Sequence, residues 1–181
     1  MQKADSLKRI VSLETFFQGA VQPSNYYLMN PRIRGNWGLF STDFRFNYLV
    51  EENHGSGSHD LSTYDWQILV LNLVTTKNVT GRVGFGNMYE RFGAKQNFFE
   101  WTSSLSFYSN SQIYGGGIEY RNAKDYTTGM VPRREINFYV EKQLFKQGAC
   151  RGYITLGGIY QRYYESVSVW GLQSGIVLKI Y

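Results

Sequence analysis

Residues 40–50 read FSTDFRFNYLV, and this stretch decides the fold. Apolar or aromatic side chains recur at nearly every second residue from Phe40 to Val50. The residues between them are polar: Ser41, Asp43, Arg45 and Asn47. Because a β-strand points successive side chains to opposite faces, this alternation predicts a strand with one apolar and one polar face.

The same period of two predicts about eight strands along the chain. We place them at 37–51, 64–76, 79–91, 97–108, 112–121, 134–145, 151–164 and 168–181. Strands in globular sheets are usually about five or six residues long, whereas a tilted strand that crosses a membrane needs about 9–11. We therefore expect an all-β fold: a closed antiparallel up-and-down transmembrane β-barrel of about eight strands, with a short N-terminal helical or irregular segment.

The composition fits a single domain with a surface poor in charge. The chain has 181 residues, of which 17% are aromatic and 18% charged, less than the usual quarter of a soluble domain. Its net charge is +5, but no Lys/Arg cluster is dense enough to favour a nucleic-acid partner. The single cysteine, Cys150, excludes an internal disulfide.

The first 34 residues differ from the rest. Asp5 or Ser6 is a candidate cap for a short helix with Leu7, Ile10 and Val11 on one side. We therefore divide the chain into an N-terminal periplasmic segment at 1–34 and a barrel at 35–181. An alternative interpretation makes 14–22 an extra strand. Since the start of the chain contains no apolar run typical of a signal peptide, we expect a mature form.

The polar stripes contain acidic and basic residues in mixed order and almost no lysine. Their charged members are Asp43, Arg45, Arg82, Glu90, Glu100, Glu119, Arg121 and Glu141. A solvent-exposed stripe would be rich in Lys and Glu, whereas an interior tolerates charge only when it is paired. We therefore predict that these residues form a charge network in the lumen and that the apolar stripes face lipid. In segment 64–76 both sets of alternate residues are apolar, which leaves its register open.

The last strand, WGLQSGIVLKIY at 170–181, ends on an aromatic residue, although Ile180 rather than Tyr181 shares its apolar stripe. With this ending, the chain resembles the small eight-stranded outer-membrane barrels, the group of the outer membrane protein A transmembrane domain and outer membrane protein X. The resemblance covers roughly 37–181. It implies the outer membrane of a Gram-negative bacterium, and it implies location and fold far better than function.

For function, we expect a non-enzymatic structural or interaction subunit of a larger outer-membrane complex, with a side-chain-filled lumen and without cofactor or metal. The N-terminal segment is the candidate for docking to another envelope protein. Arg91 and Arg162 are candidates for contact with lipopolysaccharide phosphates, together with the other loop-side cations Lys95, Lys124, Arg133 and Arg134.

Two alternatives remain at the level of sequence. One is a lipid A-modifying hydrolase that uses residues of the first long loop: His54, Ser56, Ser58, His59 and Asp60. The other is a soluble lipocalin-like barrel whose apolar stripes surround an apolar ligand.

Overall fold

A computed structural model describes residues 11–22, 26–53, 57–91 and 95–181, and this part of the chain is all-β. Its strands are β1 (Val11–Gln22), β2 (Tyr26–Met29), β3 (Arg32–Trp37), β4 (Phe40–Asn53), β5 (Gly57–Thr75), β6 (Val79–Glu90), β7 (Asn97–Tyr108), β8 (Tyr114–Lys124), β9 (Arg133–Gln147), β10 (Cys150–Tyr163) and β11 (Val167–Ile180). The described residues include no helix that is long and apolar enough to cross a membrane.

The strands form a closed antiparallel barrel. From β4 to β11 each strand pairs with its neighbours in sequence, and β1 pairs with β11 from Leu13↔Ile180 to Val21↔Leu172, which closes the ring. Strands β2 and β3 both lie between β1 and β4. The register in which they pair with β1 continues unchanged from β2 to β3, and so does the register in which they pair with β4. They are two halves of one wall strand, interrupted at Pro31, which has no N–H to donate. The barrel therefore has ten strand positions around its axis.

The prediction of eight strands was wrong by two, and both missing strands come from the N-terminal region. The expected helix is absent from the described residues, where Val11–Gln22 is strand β1, so the alternative that made 14–22 a strand was right. β3 crosses the boundary that we placed at 34/35, so the described part of the 1–34 segment is barrel wall. The proposed caps and the apolar residues Leu7 and Ile10 lie outside the described residues.

The apolar and polar faces of the wall are oriented as the alternation predicts. Phe40 and Phe44 face outward and are 52% and 41% exposed, whereas Asp43 and Arg45 face the lumen and are each 2% exposed. The same division holds around the ring: Leu172 and Phe138 are exposed outside, and Gln161 and Glu135 are buried inside. The barrel is thus apolar on its outer surface and polar within.

Two irregularities in β5 explain why its register could not be assigned from the sequence. The pairing of β5 with β6 shifts between Trp66 and Leu69 and again between Asn72 and Val74. At each shift two consecutive residues point outward, Ile68 with Leu69 and Leu73 with Val74. Because a β-bulge reverses the parity of a strand, both alternate sets of this segment contain apolar residues.

The two ends of the barrel differ. At one end, here the turn end, β1 begins, β11 finishes and short connections such as Gly38–Leu39 and Gly148–Ala149 join the strands. Gly38 and Gly148 have φ values of 64° and 58°, which glycine adopts without strain. At the opposite end, here the loop end, lie the longer connection 125–132 and the short connection 164–166.

We predict that Gly157→Ala destabilises the barrel by about 1–3 kcal/mol, because the added Cβ overpacks a rigid wall. That Cβ would lie 2.0 Å from the carbonyl oxygen of Phe138 on the paired strand, and a strand held on both sides cannot move away. Gly19→Ala is the matched control, since its Cβ meets only the Leu28 carbonyl oxygen at 3.6 Å. Urea unfolding in detergent, followed by gel mobility without boiling, measures both. Equal unfolding midpoints for the two variants would contradict the prediction.

Candidate functional site in the barrel lumen

The lumen contains a network of buried ion pairs. Thirteen side chains take part, six cations and seven carboxylates, contributed by nearly every strand of the ring. The cations are Arg32, Arg34, Arg45, Arg121, Arg133 and Lys179, and the carboxylates are Glu14, Asp43, Asp65, Glu100, Glu119, Glu135 and Glu141.

Arg133 and Arg45 organise the part of the network nearest the loop end. One Arg133 nitrogen lies 2.7 Å from Asp65 and 2.6 Å from Glu100. Arg45 lies 2.8 Å from Asp65 and 2.5 Å from Glu135. All five side chains are at most 3% exposed, so each charge is compensated by a partner rather than by solvent.

Asp43 is the centre of the next layer toward the turn end. Its carboxylate accepts hydrogen bonds from Arg32 Nε at 2.8 Å and Arg34 Nε at 2.9 Å. Arg32 also reaches across the lumen to Glu119 at 2.8 Å, and Arg121 donates to Glu119 at 2.6 Å. Arg121 joins the two layers, because it also lies 3.4 Å from Glu100.

A separate pair lies closest to the turn end. Lys179 Nζ is 2.5 Å from Glu141 and donates to the Tyr108 hydroxyl at 3.0 Å. The same ammonium group stands 4.4 Å from the centre of the Tyr153 ring. Lys179 has no other carboxylate partner within 4.0 Å among the described residues, so this pair makes no direct ion pair with the layers above it.

The structure brings six of the eight predicted network residues into these ion pairs: Asp43, Arg45, Glu100, Glu119, Arg121 and Glu141. The other two face the lumen with different partners. Arg82 Nε donates to Asn72 Oδ1 at 3.0 Å, and Glu90 accepts a hydrogen bond from the Tyr164 hydroxyl. Burial and this hydrogen bond raise the pKa of the Tyr164 phenol above its usual range.

Seven ion-paired residues were missing from the prediction. Glu14 lies in the stretch that the sequence offered as a strand only in the alternative interpretation, Arg32 and Arg34 belong to a strand that it did not identify, and Asp65 lies in the segment whose register was open. Arg133 was expected among the loop-side cations but is 0% exposed inside the lumen. Extending the polar stripe of β9 by two more alternate residues toward the start of the strand would have found Glu135 and Arg133. In β11 the alternate residues on the face opposite Trp170 point into the lumen, and following them to the end of the strand would have found Lys179.

An apolar layer covers the network at the loop end. It consists of residues that point inward from five wall strands: Ala20, Leu28, Leu49, Ile159, Tyr163 and Val169. A second apolar group, formed by Met88, Phe98 and Ala123, lies on the opposite side of the ring. At the turn end the lumen instead opens into a polar cavity of about 290 Å³.

The two candidate lipopolysaccharide contacts lie at the loop end on the outer side of the wall. Arg91 Nη1 donates to the Tyr64 hydroxyl at 2.8 Å, and its guanidinium stands over the Tyr64 ring. Arg162 lies 3.5 Å from the Glu165 carboxylate and also donates to the Glu165 carbonyl. Arg91 therefore keeps its positive charge available, whereas that of Arg162 is partly compensated.

The residues of the proposed hydrolase cannot be placed together. His54 and Ser56 lie outside the described residues, and Ser58, His59 and Asp60 belong to strand β5. The backbone of His59 pairs with Glu51 of β4.

Comparisons with known proteins find one weak structural similarity. No family model and no curated protein matches the chain. Among solved structures, the chain is similar to a mutant porin from Rhodopseudomonas blastica, with 8% identity and a TM-score of 0.21, over 94% of this chain and 98% of that one. A triple mutant of the same porin matches over the same shares with 7% identity and a TM-score of 0.20. The similarity to a porin is weak, and membership of the eight-stranded family is not established.

We predict that Lys179→Met destabilises the barrel by about 3–5 kcal/mol, because it leaves Glu141 buried without a counter-charge. The double variant Lys179→Met/Glu141→Leu should recover most of this loss, since it removes both charges and fills the space with apolar groups. Urea unfolding of the single and double variants measures the difference. A double variant no more stable than Lys179→Met would contradict the prediction.

Proposed function

We propose that this chain is an outer-membrane β-barrel of a Gram-negative bacterium that acts as a non-enzymatic structural or interaction subunit. The observation that carries the proposal is the reversal of the usual arrangement of a globular protein: large apolar side chains cover the outside of the closed barrel, while ion pairs fill the inside.

The outer surface supports the membrane location. Apolar side chains of every wall strand face outward, and many are more than half exposed, among them Phe17, Leu73, Phe138, Leu156 and Leu172. An exposed apolar surface that runs around the whole molecule is far larger than the isolated patches of soluble proteins. The closed ring also leaves no unpaired strand edge, which a hydrocarbon environment requires.

The exposed tryptophans support the same location. Trp37 lies near the turn end and Trp170 near the loop end, and each is about half exposed on the outer face. Aromatic side chains with a polar group are typical of the two interfaces of a membrane. In this orientation the start of β1, the end of β11 and the tight turns at 38–39 and 148–149 lie on the periplasmic side, as in known outer-membrane barrels.

The interior supports a structural role rather than transport. Residues from opposite walls meet across the lumen, as in the pairs Arg45–Glu135 and Arg32–Glu119, and the apolar layer covers them at the loop end. A barrel this narrow is filled by side chains. We therefore propose a closed lumen that stiffens the wall, with contacts to partners made by the outer surface.

Partner contacts are the part of the proposal that rests most on sequence. Because β1, β2 and β3 belong to the wall, we restrict docking through the N-terminal segment to residues 1–10 or to the wall itself. We propose membership in a larger outer-membrane complex because the barrel is small and, in this proposal, has no channel of its own. A soluble barrel with an apolar ligand is disfavoured, because the apolar stripes do not line the lumen.

We predict that the purified chain needs detergent to stay in solution and migrates faster on a gel before boiling than after it, as a folded membrane barrel does. In a planar lipid bilayer it should insert without opening steady ion channels, since the lumen is filled. Single-channel recording measures this. Stable dispersion in plain buffer would exclude the membrane proposal, and reproducible large conductance would exclude the closed lumen.

We further propose that Arg91 contacts lipopolysaccharide phosphates, with a smaller contribution from Arg162. Arg91→Glu should lower the amount of lipopolysaccharide that co-purifies with the barrel by roughly two- to fivefold, the size expected for an exposed charge pair. Arg162→Glu should have a weaker effect, because Glu165 already neutralises part of that charge. Lys142→Glu, at the turn end, is the control. Equal lipopolysaccharide content in all three variants would remove the contact from the proposal.

A further inference from the structure

The cavity of about 290 Å³ at the turn end adjoins the ion-pair network and shares one residue with it, Glu14. It is lined by strand ends and turns from most of the ring, and Glu14, Arg82 and Tyr153, each the fourth residue from the turn end of its strand, lie deepest. Its volume is near the lower limit of about 300 Å³ for pockets that bind small molecules. A compact ligand would therefore fit, and a folded protein would not.

The cavity carries an excess of positive charge. Lys77, Arg82, Lys146 and Arg151 line it, and in the described part of the chain none of them has a carboxylate within 4.0 Å. The carboxylate that lines the cavity, that of Glu14, is paired with Arg34 at 3.4 Å. This differs from the rest of the lumen, where cations and carboxylates nearly balance.

The two arginines of the cavity are held by neutral side chains. Arg82 Nε donates to Asn72 Oδ1 at 3.0 Å. Arg151 Nη1 donates to Gln112 Oε1 at 2.5 Å, and its guanidinium stands 5.0 Å from the centre of the Tyr181 ring. Each contact uses one N–H group and fixes the guanidinium, so the remaining donors are oriented toward the cavity. Glu14 lies close enough to Arg82 for their charges to interact, but makes no direct ion pair with it.

Gln112 connects the arginine to the neighbouring turn. Its amide nitrogen donates to the Lys77 carbonyl at 3.3 Å while its amide oxygen holds Arg151. The residue has a φ of 58°, a left-handed conformation that is uncommon outside glycine and asparagine. This strained backbone keeps the amide between the two cationic residues.

We propose that the turn-end cavity binds a small soluble anion that carries phosphate groups. Guanidinium groups form paired hydrogen bonds with phosphate oxygens. The two lysines add positive charge and can donate hydrogen bonds in several directions. The cavity opens along the barrel axis and not through the outer wall, so a solute of the periplasmic compartment reaches it more directly than a lipid headgroup. Binding depends on the fold of the barrel and not on its insertion in a membrane.

The test is a calorimetric titration of inorganic pyrophosphate into the folded full chain in non-ionic detergent, at a salt concentration of about 0.1 M. We expect one saturable site per chain. Arg82→Gln and Arg151→Gln should each weaken binding by about tenfold, the loss of one charge-assisted contact. Lys142→Gln is the matched control, because Lys142 lies at the same end of the barrel but on the exposed outer face of β9 and should leave the affinity unchanged.

Gln112→Gly gives a second variant that does not depend on removing a charge. Glycine suits the left-handed backbone, so the variant should fold, and loss of the amide that orients Arg151 should weaken binding severalfold. Gel mobility without boiling checks the folding of every variant.

Three results would overturn the inference: no saturable binding to the parent chain, an equal loss in Lys142→Gln and Arg82→Gln, or displacement of pyrophosphate by short-chain phosphatidic acid, which would assign the cavity to a lipid headgroup. Because the titration is done in detergent, failure of the chain to insert in membranes would remove the proposed function and leave this result unaffected.

Discussion

Ion pairs that cross the lumen are the constraint on which this barrel depends. Arg45 of β4 meets Glu135 of β9, and Arg32 of β3 meets Glu119 of β8, from opposite sides of the ring. An isolated charge in such an interior would cost several kcal/mol, so every strand must stand in the register that gives its charge a partner. These contacts therefore fix the circumference, the stagger of the strands and the filled lumen together.

The arrangement also explains why the wall can be so apolar. A globular protein gains stability by burying its apolar side chains, whereas here those side chains form the outer surface and the interior is held by charge-assisted hydrogen bonds. Such bonds are roughly twice as strong as neutral ones, and in a water-poor interior they are strengthened further. The apolar layer of Leu28, Leu49 and Ile159 adds a smaller core of the ordinary kind at the loop end.

Most of the wall could be predicted from the sequence, and the failures have physical causes. Alternation located eight strands, since a period of two depends only on local geometry, and it also identified the inward-facing Asp43 and Arg121. It failed at β1, where apolar spacing is compatible with a helix and a strand was only the alternative, and at β2 and β3, which were read as irregular and which only pairing with β1 and β4 makes strands. It failed again at β5, where bulges reverse the parity. Lys179 and Arg133 lie on polar stripes that the alternation could have been extended to include, but which charges pair across the lumen is a long-range property that no local pattern contains.

The pairing of β1 with β11 has a consequence for biogenesis. These strands are the first and the last of the described chain, and Leu13 lies opposite Ile180. The ring cannot close until nearly the whole chain has been synthesised and delivered, and contacts between residues so distant in sequence form slowly. Until that moment both terminal strands expose unpaired backbone groups, which are sites for aggregation. Ring closure is therefore the step that removes these edges from contact with other chains.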